Sequence, residues 1–364
     1  MRESLVKTGH VDVMIDIRGN FFYTRTVPCQ LWFFDKAKPA HLRDKVLMLD
    51  ARHVYRKVTR KIYDFSPEQQ QNLTAVVWLY RGENERFVEL VQEYVERCLE
   101  AAKGCKVAEA ISAEPIPDVI AAFLELDTAV ALFVKDLELK AGEDAAAVRA
   151  YYEFWNAVGL VRDGWAGLQQ LTADLQKWWN QYPFETAEQL LSFVSEDVCL
   201  RNLADASRDL VKDIDLAYKL ATRVLDECEA AGAKDSALWD GAVISGSRRT
   251  SLKKVADEAR QVAIEQLKQV RYGYKQAHWL LSRFPEGKYR DVEGLVKLVD
   301  VAALAAADWS LTPGRYVGVA AKEVDEDFDF EETLRDIHIE LDGLNQEAVT
   351  LAAQIAQNFK GLGL

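Results

Sequence analysis

Residues 20–36 read NFFYTRTVPCQLWFFDK, and this stretch decides the fold of the amino-terminal part of the chain. Within it, Cys29–Phe34 is an apolar and aromatic run, typical of a β-strand covered on both faces. Upstream, Val11–Ile17 alternates apolar residues with two aspartates, which predicts a strand with one buried face. Val46–Leu49 is predicted to be a third short strand.

Three strands cannot bury so apolar a set of side chains by themselves. A strand covered on both faces needs a layer on each side, and an unpaired edge promotes aggregation. Residues 1–65 are therefore expected to form the last strands of a larger α/β sheet, whose other strands lie upstream of Met1.

From Ser66 to residue 308 the sequence predicts helices. Ser66, Pro67 and Glu68 supply a cap, a first-turn proline and an early acid, which together indicate the start of a helix. Glycines and prolines then separate Ala-, Leu- and Glu-rich segments of helical length, which favours antiparallel packing. The predicted fold class is mainly α, with a small amino-terminal β segment and a large helical region.

Residues 308–320 read DWSLTPGRYVGVA and connect this region to the carboxyl-terminal segment. A turn is predicted at 309–322, and a coiled-coil-like heptad helix at 323–364, where apolar residues alternate at spacings of three and four. Such a seam can be covered within the chain or by another subunit, and the sequence leaves both open. The seam residues are Leu334, Ile337, Leu341, Leu344, Ala348, Leu351 and Ile355.

Composition and missing motifs exclude several functions. The net charge of −13 argues against non-specific coating of nucleic acid, although residues 36–61 hold nine basic residues and two acidic ones. No HExxH, CxxC, GxSxG or P-loop motif occurs, so a zinc hydrolase, a nucleophile-elbow hydrolase and a P-loop NTPase have no support. Without a signal peptide or a membrane-length apolar run, a cytoplasmic protein is expected.

Two groups of motifs resemble the modification (M) subunit of type I restriction-modification systems. They occur in the family's order and cover about residues 1–80 and 275–364 of this chain. The motifs are Phe21-Phe22, Val27-Pro28-Cys29, the strand Leu31–Phe34, WLLSRFP at 279–285, DVEGL at 291–295 and WSLTPGRYVG at 309–318.

The resemblance implies an S-adenosylmethionine-dependent, site-specific DNA-methyltransferase (adenine-specific), with residues 1–65 as a remnant of its sheet. That chemistry needs a glycine-rich cofactor loop and an Asn/Asp-Pro-Pro-Tyr/Phe tetrapeptide, and this sequence has neither. No two of its prolines are adjacent, and none follows Asn or Asp. We therefore expect no catalytic residue, no cofactor binding by this chain alone and no metal, which leaves its status as an enzyme open.

The resemblance also implies accessory site residues. Phe22, with Phe21 second, is a candidate for stacking on a flipped adenine, and core packing is the alternative. Candidates for contacts to DNA phosphates are Arg25, Arg52, Arg56, Lys57 and Arg60. Candidates for docking the specificity subunit are Pro313, Gly314, Arg315, Leu334, Ile337, Leu341, Leu344 and Leu351.

These expectations combine into one function and one alternative. The chain is predicted to be part of an adenine-N6 modification subunit, where it contributes the target-base pocket and the specificity-subunit docking surface and is inactive alone. Its partners are then the specificity subunit, the missing methyltransferase half and double-stranded DNA, with no membrane. The alternative is a non-catalytic helical protein that binds or regulates a restriction-modification complex.

Overall fold

The computed structural model describes most of the chain. The described residues are 1–22, 26–59, 62–105, 118–143, 145–181, 187–196, 198–232, 247–319, 341 and 348. The chain divides into one unit at Met1–Val317 and a second at Gly318–Leu364. Apart from Leu341 and Ala348, the predicted heptad helix lies outside the described residues.

A four-stranded sheet forms the amino-terminal part of the first unit. Its strands are β1 (Val11–Ile17), β2 (Cys29–Phe34), β3 (Lys45–Asp50) and β6 (Val296–Asp300), in the order β2-β1-β3-β6. β1 is parallel to β3 and antiparallel to β2, while β6 is antiparallel to β3. The positions of β1, β2 and β3 confirm the sequence prediction, but β2 is not covered on both faces, because its last four residues are exposed.

The fourth strand was not predicted. β6 has only five residues and is followed directly by a short helix. So short a segment does not show the two-residue period of a strand, and the apolar residues around it are typical of a helix. Two further strands, β4 (Arg56–Thr59) and β5 (Ile62–Asp64), form a separate antiparallel hairpin after β3.

The rest of the described chain is mainly helical, which confirms the predicted fold class. The helices are α1 (Arg2–Val6), α2 (Pro67–Arg81), α3 (Asn84–Gly104), α4 (Asp118–Ala141), α5 (Ala146–Gln181), α6 (Ala187–Glu196), α7 (Val198–Gly232), α8 (Ser247–Arg283) and α9 (Val301–Ala306). Ser66 caps α2 as predicted, accepting a hydrogen bond from the Gln69 amide while the Gln69 side chain accepts one from the Ser66 amide.

The strands β1 and β3 of the sheet are covered on both faces. On one face, Val13, Leu47 and Leu49 join the core of the helical region. On the other face, Met14 and Met48 pack in a second core with residues of α1, α9 and the 311–317 segment. The prediction that β1 has only one buried face is therefore wrong, because its aspartate-bearing side is covered as well.

A buried ionic network compensates the first of these aspartates. Asp12 is 2% exposed and accepts hydrogen bonds from the Tyr80 hydroxyl (2.9 Å) and the Arg81 guanidinium (2.7 Å). The Lys38 ammonium lies 3.6 Å from Asp12 and donates to the Val11 carbonyl oxygen at 2.7 Å. Burial lowers the pKa of Lys38. Lys38 thus belongs to the interior and not to the basic surface between residues 36 and 61.

The helices α3 and α8 approach closely at Gly273. A Cβ atom at this position would lie 3.2 Å from the Cys98 amide nitrogen and from the Tyr94 carbonyl oxygen. Backbone atoms cannot move aside as the end of a side chain can, so glycine allows the two helices to pack.

This contact predicts opposite effects for two glycine substitutions in long helices. Gly273→Val should lower the free energy of unfolding by about 1–3 kcal/mol through overpacking. Gly167→Ala, at an exposed site in α5 with open space around the glycine, should raise it by about 0.5–1 kcal/mol. Urea denaturation followed by circular dichroism measures both. A Gly273→Val protein as stable as the wild type would contradict the close helix contact.

Candidate nucleic-acid interface

The carboxyl ends of β1 and β3 meet at one edge of the sheet, because these two strands are parallel and Asp16 is in register with Asp50. In open α/β sheets, ligands bind outside the carboxyl ends of the strands. The turn at residues 18–22, the β4–β5 hairpin and the turn at Pro313–Arg315 all lie at this edge. Most of the candidate site residues that the structure describes are in these three segments.

Two buried carboxylates organise this edge. Asp16 accepts a hydrogen bond from the Gln30 side chain at 2.8 Å and one from the Gly314 amide at 3.3 Å. Asp50 accepts hydrogen bonds from the Arg52 guanidinium through both carboxylate oxygens, at 2.8 and 2.5 Å. Gly314 therefore contributes its backbone amide to this edge, and the Arg52 side chain pairs with the last residue of β3.

Gly314 also lies directly against Arg52. A Cβ atom at position 314 would come within 2.5 Å of the Arg52 Nη2 atom and 3.6 Å of an Asp50 oxygen. Gly314 does not have a positive φ, so its role at this edge is the lack of a side chain.

The two aromatic candidates differ in exposure. Phe22 is 49% exposed, so one side of its ring is available to a ligand. The Phe21 ring packs on Phe65, with ring centroids 4.5 Å apart. Of the two rings, Phe22 is therefore the more accessible.

The basic candidates differ in whether a carboxylate of the chain already pairs with them. Arg52 is paired with Asp50, and Arg56 donates to both carboxylate oxygens of Asp64 at 2.9 and 2.7 Å. A DNA phosphate would compete with these carboxylates. Lys57 is exposed on β4. Arg25 and Arg60 lie outside the described residues.

Sequence reasoning missed one basic residue at this edge, Arg18. Its guanidinium carbon lies 3.9 Å from the ring centroid of Tyr55 and 3.7 Å from that of Tyr63. The sequence indicates this residue only by its position directly after the alternating strand β1, because residues that follow the carboxyl end of a parallel strand often contact ligands. Asp16 and Gln30, which connect β1 and β2 at this edge, were missed as well.

Of the docking candidates, Pro313 is buried and Arg315 is exposed. Leu341 is exposed. Leu334, Ile337, Leu344 and Leu351 lie outside the described residues.

In the part of the chain that the structure describes, no cluster of His, Cys, Asp and Glu side chains suits a metal ion. None of the helices described there has a stretch both long and apolar enough to span a lipid bilayer.

Comparison with known proteins finds a similarity to DNA methyltransferases in the amino-terminal quarter of the chain. Residues 1–97 match the N-6 DNA Methylase family. Over 61 residues the chain is 28% identical to the type I restriction enzyme MjaIX methylase subunit of Methanocaldococcus jannaschii, a match that covers 17% of this chain and 11% of that protein. No solved structure matches the chain. The protein is thus related to type I restriction-modification methyltransferases, as the motifs predicted.

The contact between Gly314 and Arg52 predicts a coupled effect on stability. Gly314→Val should displace Arg52, leave Asp50 without its cation and lower the free energy of unfolding by about 1–3 kcal/mol. In an Arg52→Ala background, where the steric conflict is absent, the same substitution should cost less. A double-mutant cycle from urea denaturation measures this coupling. Equal costs in both backgrounds would contradict the contact.

Proposed function

We propose that this chain supplies the carboxyl-terminal part of a type I adenine-N6 DNA methyltransferase modification subunit. In this role it contributes one wall of the target-base pocket and docks the specificity subunit. The polypeptide that carries the cofactor loop and the catalytic tetrapeptide completes the sheet. Without that partner the chain transfers no methyl group.

The observation that carries the proposal is the uncovered strand β2. It is the outermost strand of the sheet and pairs with β1 on one side, and in the described residues no strand pairs with its other side. Its apolar side chains are 38–50% exposed, and because successive residues point to opposite faces, neither face of the strand is covered. The exposed residues are Leu31, Trp32, Phe33 and Phe34.

Such a strand is more typical of the interior of a larger sheet than of an edge exposed to solvent. Natural edge strands are usually short, charged or covered, and β2 has none of these protections. A partner strand would satisfy its free backbone groups, and layers on either side of that strand would cover the four apolar side chains. A methyltransferase half with strands and covering helices offers both.

The base pocket is proposed at the carboxyl edge. A base taken out of the DNA stack is held between aromatic or apolar surfaces, and the half-exposed ring of Phe22 offers one such surface, with Phe21 as the second candidate. Phosphate contacts proposed around it come from Arg25, Arg52, Arg56, Lys57 and Arg60. These contacts hold the duplex without reading its sequence.

The residues present do not fit S-adenosylmethionine. The two buried carboxylates at the carboxyl edge, Asp16 and Asp50, are already bonded to groups of this chain, and the turn after β1 is held by a non-glycine residue, Asn20, at a φ of 62°. We therefore assign cofactor binding to the partner polypeptide. Docking of the specificity subunit is proposed for Pro313, Gly314 and Arg315 together with the seam residues Leu334, Ile337, Leu341, Leu344 and Leu351.

Reconstitution tests the proposed sheet completion. The chain mixed with the amino-terminal part of a type I methylase subunit and with a specificity subunit should form a complex that methylates DNA, measured by transfer of a radiolabelled methyl group. Trp32→Lys with Phe34→Lys should abolish complex formation, because a charge cannot be buried beside the new strand without a partner.

The matched control is Leu132→Lys with Leu139→Lys on α4. These two leucines are 75% and 80% exposed, more than Trp32 and Phe34. This variant should assemble normally. Equal loss in both variants would contradict docking at β2. Assembly without any methylation would instead favour the non-catalytic interaction protein.

A second expectation concerns Phe22 in the assembled complex. Phe22→Ala should lower kcat/KM about 10- to 100-fold, because base stacking on an aromatic ring contributes about 1–3 kcal/mol. Complex formation and the melting temperature should remain unchanged, since the ring is half exposed. Phe22→Trp should retain most of the activity. An unaffected rate for Phe22→Ala would remove the stacking role.

A further inference from the structure

We infer that Arg18, held by Tyr55 and Tyr63, is a binding site for a phosphodiester group of DNA beside the unstacked base. This inference rests on the proposed function and adds a contact residue and its ligand class. The geometry of three side chains and the charges around them carry it.

The two tyrosine rings form a corner for the guanidinium. Their centroids are 5.1 Å apart and their planes meet at 84°, so the rings are nearly edge to face. The Arg18 guanidinium carbon lies within 4 Å of both centroids, at 3.9 and 3.7 Å. Two cation–π contacts at this distance fix the position of the charge without an anion.

The charge of Arg18 therefore remains available to a ligand. In the described part of the chain, no carboxylate oxygen lies within 4.0 Å of it, in contrast to the pairs Arg52–Asp50 and Arg56–Asp64. Its Nε atom is buried and has no hydrogen-bond partner there. An anion that reaches the guanidinium need not displace a carboxylate.

The hairpin places a second cation on the same side. Lys57 is opposite Tyr63 in the β4–β5 register, and directly opposite residues share a face of an antiparallel pair. The Tyr55 ring contacts the Tyr63 ring, so Tyr55 lies on this face too. Arg56 is opposite Asp64, and both point to the other face, where they pair.

The turn that follows Arg18 brings an aromatic surface close to these cations. The Tyr63 amide donates to the Asn20 carbonyl oxygen at 3.0 Å, which attaches the turn to the hairpin. Phe22, half exposed, lies two residues further along. Two cations that pair with no carboxylate of the described residues, at the edge that also carries Phe22, match a nucleotide unit, whose phosphate binds the guanidinium while its base stacks.

Fluorescence anisotropy of the full chain with a short duplex that carries one unpaired adenine tests the assignment. Arg18→Gln should weaken binding about tenfold at low salt, as for the loss of a charge-assisted hydrogen bond. It should also lower the slope of log affinity against log salt concentration by about 1. Arg18→Lys, which retains the charge, should keep the wild-type slope and serves as the control for folding.

Arg86→Gln is the matched control, because Arg86 also stacks on an aromatic ring (Trp78, 4.3 Å) but pairs with Glu83 at 2.6 Å and is not among the proposed DNA contacts. It should change the affinity less than about twofold. An unchanged affinity for Arg18→Gln, or an equal loss in Arg18→Gln and Arg86→Gln, would overturn the assignment while leaving the proposed function in place. Failure of the wild-type chain to bind the duplex would also overturn the assignment of Arg18, whereas the proposed function is tested separately by the reconstituted complex. Displacement of the duplex by low concentrations of adenosine monophosphate would assign the site to a free nucleotide and overturn the DNA backbone as ligand.

Discussion

The coverage of β1 and β3 on both faces is the constraint on which the rest of the structure depends. Coverage on both sides brings carboxylates into the interior, where an unpaired charge is expensive. Asp12, Asp16 and Asp50 are each compensated by a different segment. Asp12 is bonded to α2 through Tyr80 and Arg81, Asp16 to β2 and the 313–315 turn, and Asp50 to the loop after β3. These bonds connect distant parts of the chain to the sheet.

The same compensation arranges the candidate interface. Because Asp16 binds the Gly314 amide, the turn before the carboxyl-terminal unit is fixed at the edge where Phe22 and Arg18 lie. Because the Arg52 guanidinium pairs with Asp50 directly beside Gly314, a side chain at position 314 would have to displace that guanidinium. The sequence around Pro313-Gly314-Arg315 is therefore explained by contacts to the sheet within the first unit, independently of any docking role of the segment that follows.

How much the sequence could predict varies from element to element. The strands β1, β2 and β3 and the start of α2 were predictable, since alternation, apolar runs and a capping sequence are local signals. The strand β6 was not, because its pairing with β3 joins residues about 250 positions apart in the chain and a five-residue strand has no local signature. The buried state of Lys38 and Asp12 was hidden for the same reason: a charge count cannot reveal which lysine meets an aspartate in the core. Arg18 was missed because its partners, Tyr55 and Tyr63, lie about 40 residues further along the chain.

The arginines at this edge illustrate how an acidic protein can present positive charge locally. The protein has a net charge of −13, and several of its cations pair with a carboxylate, as Arg52 and Arg56 do, so that a ligand has to compete for them. Aromatic rings hold a cation through their negative faces and keep its formal charge. A guanidinium held in this way is preorganised and still attractive to a phosphate, whereas a carboxylate pair must first be broken. The residue least visible in the charge pattern, Arg18, is for this reason better suited to bind a polyanion than the arginines that dominate that pattern.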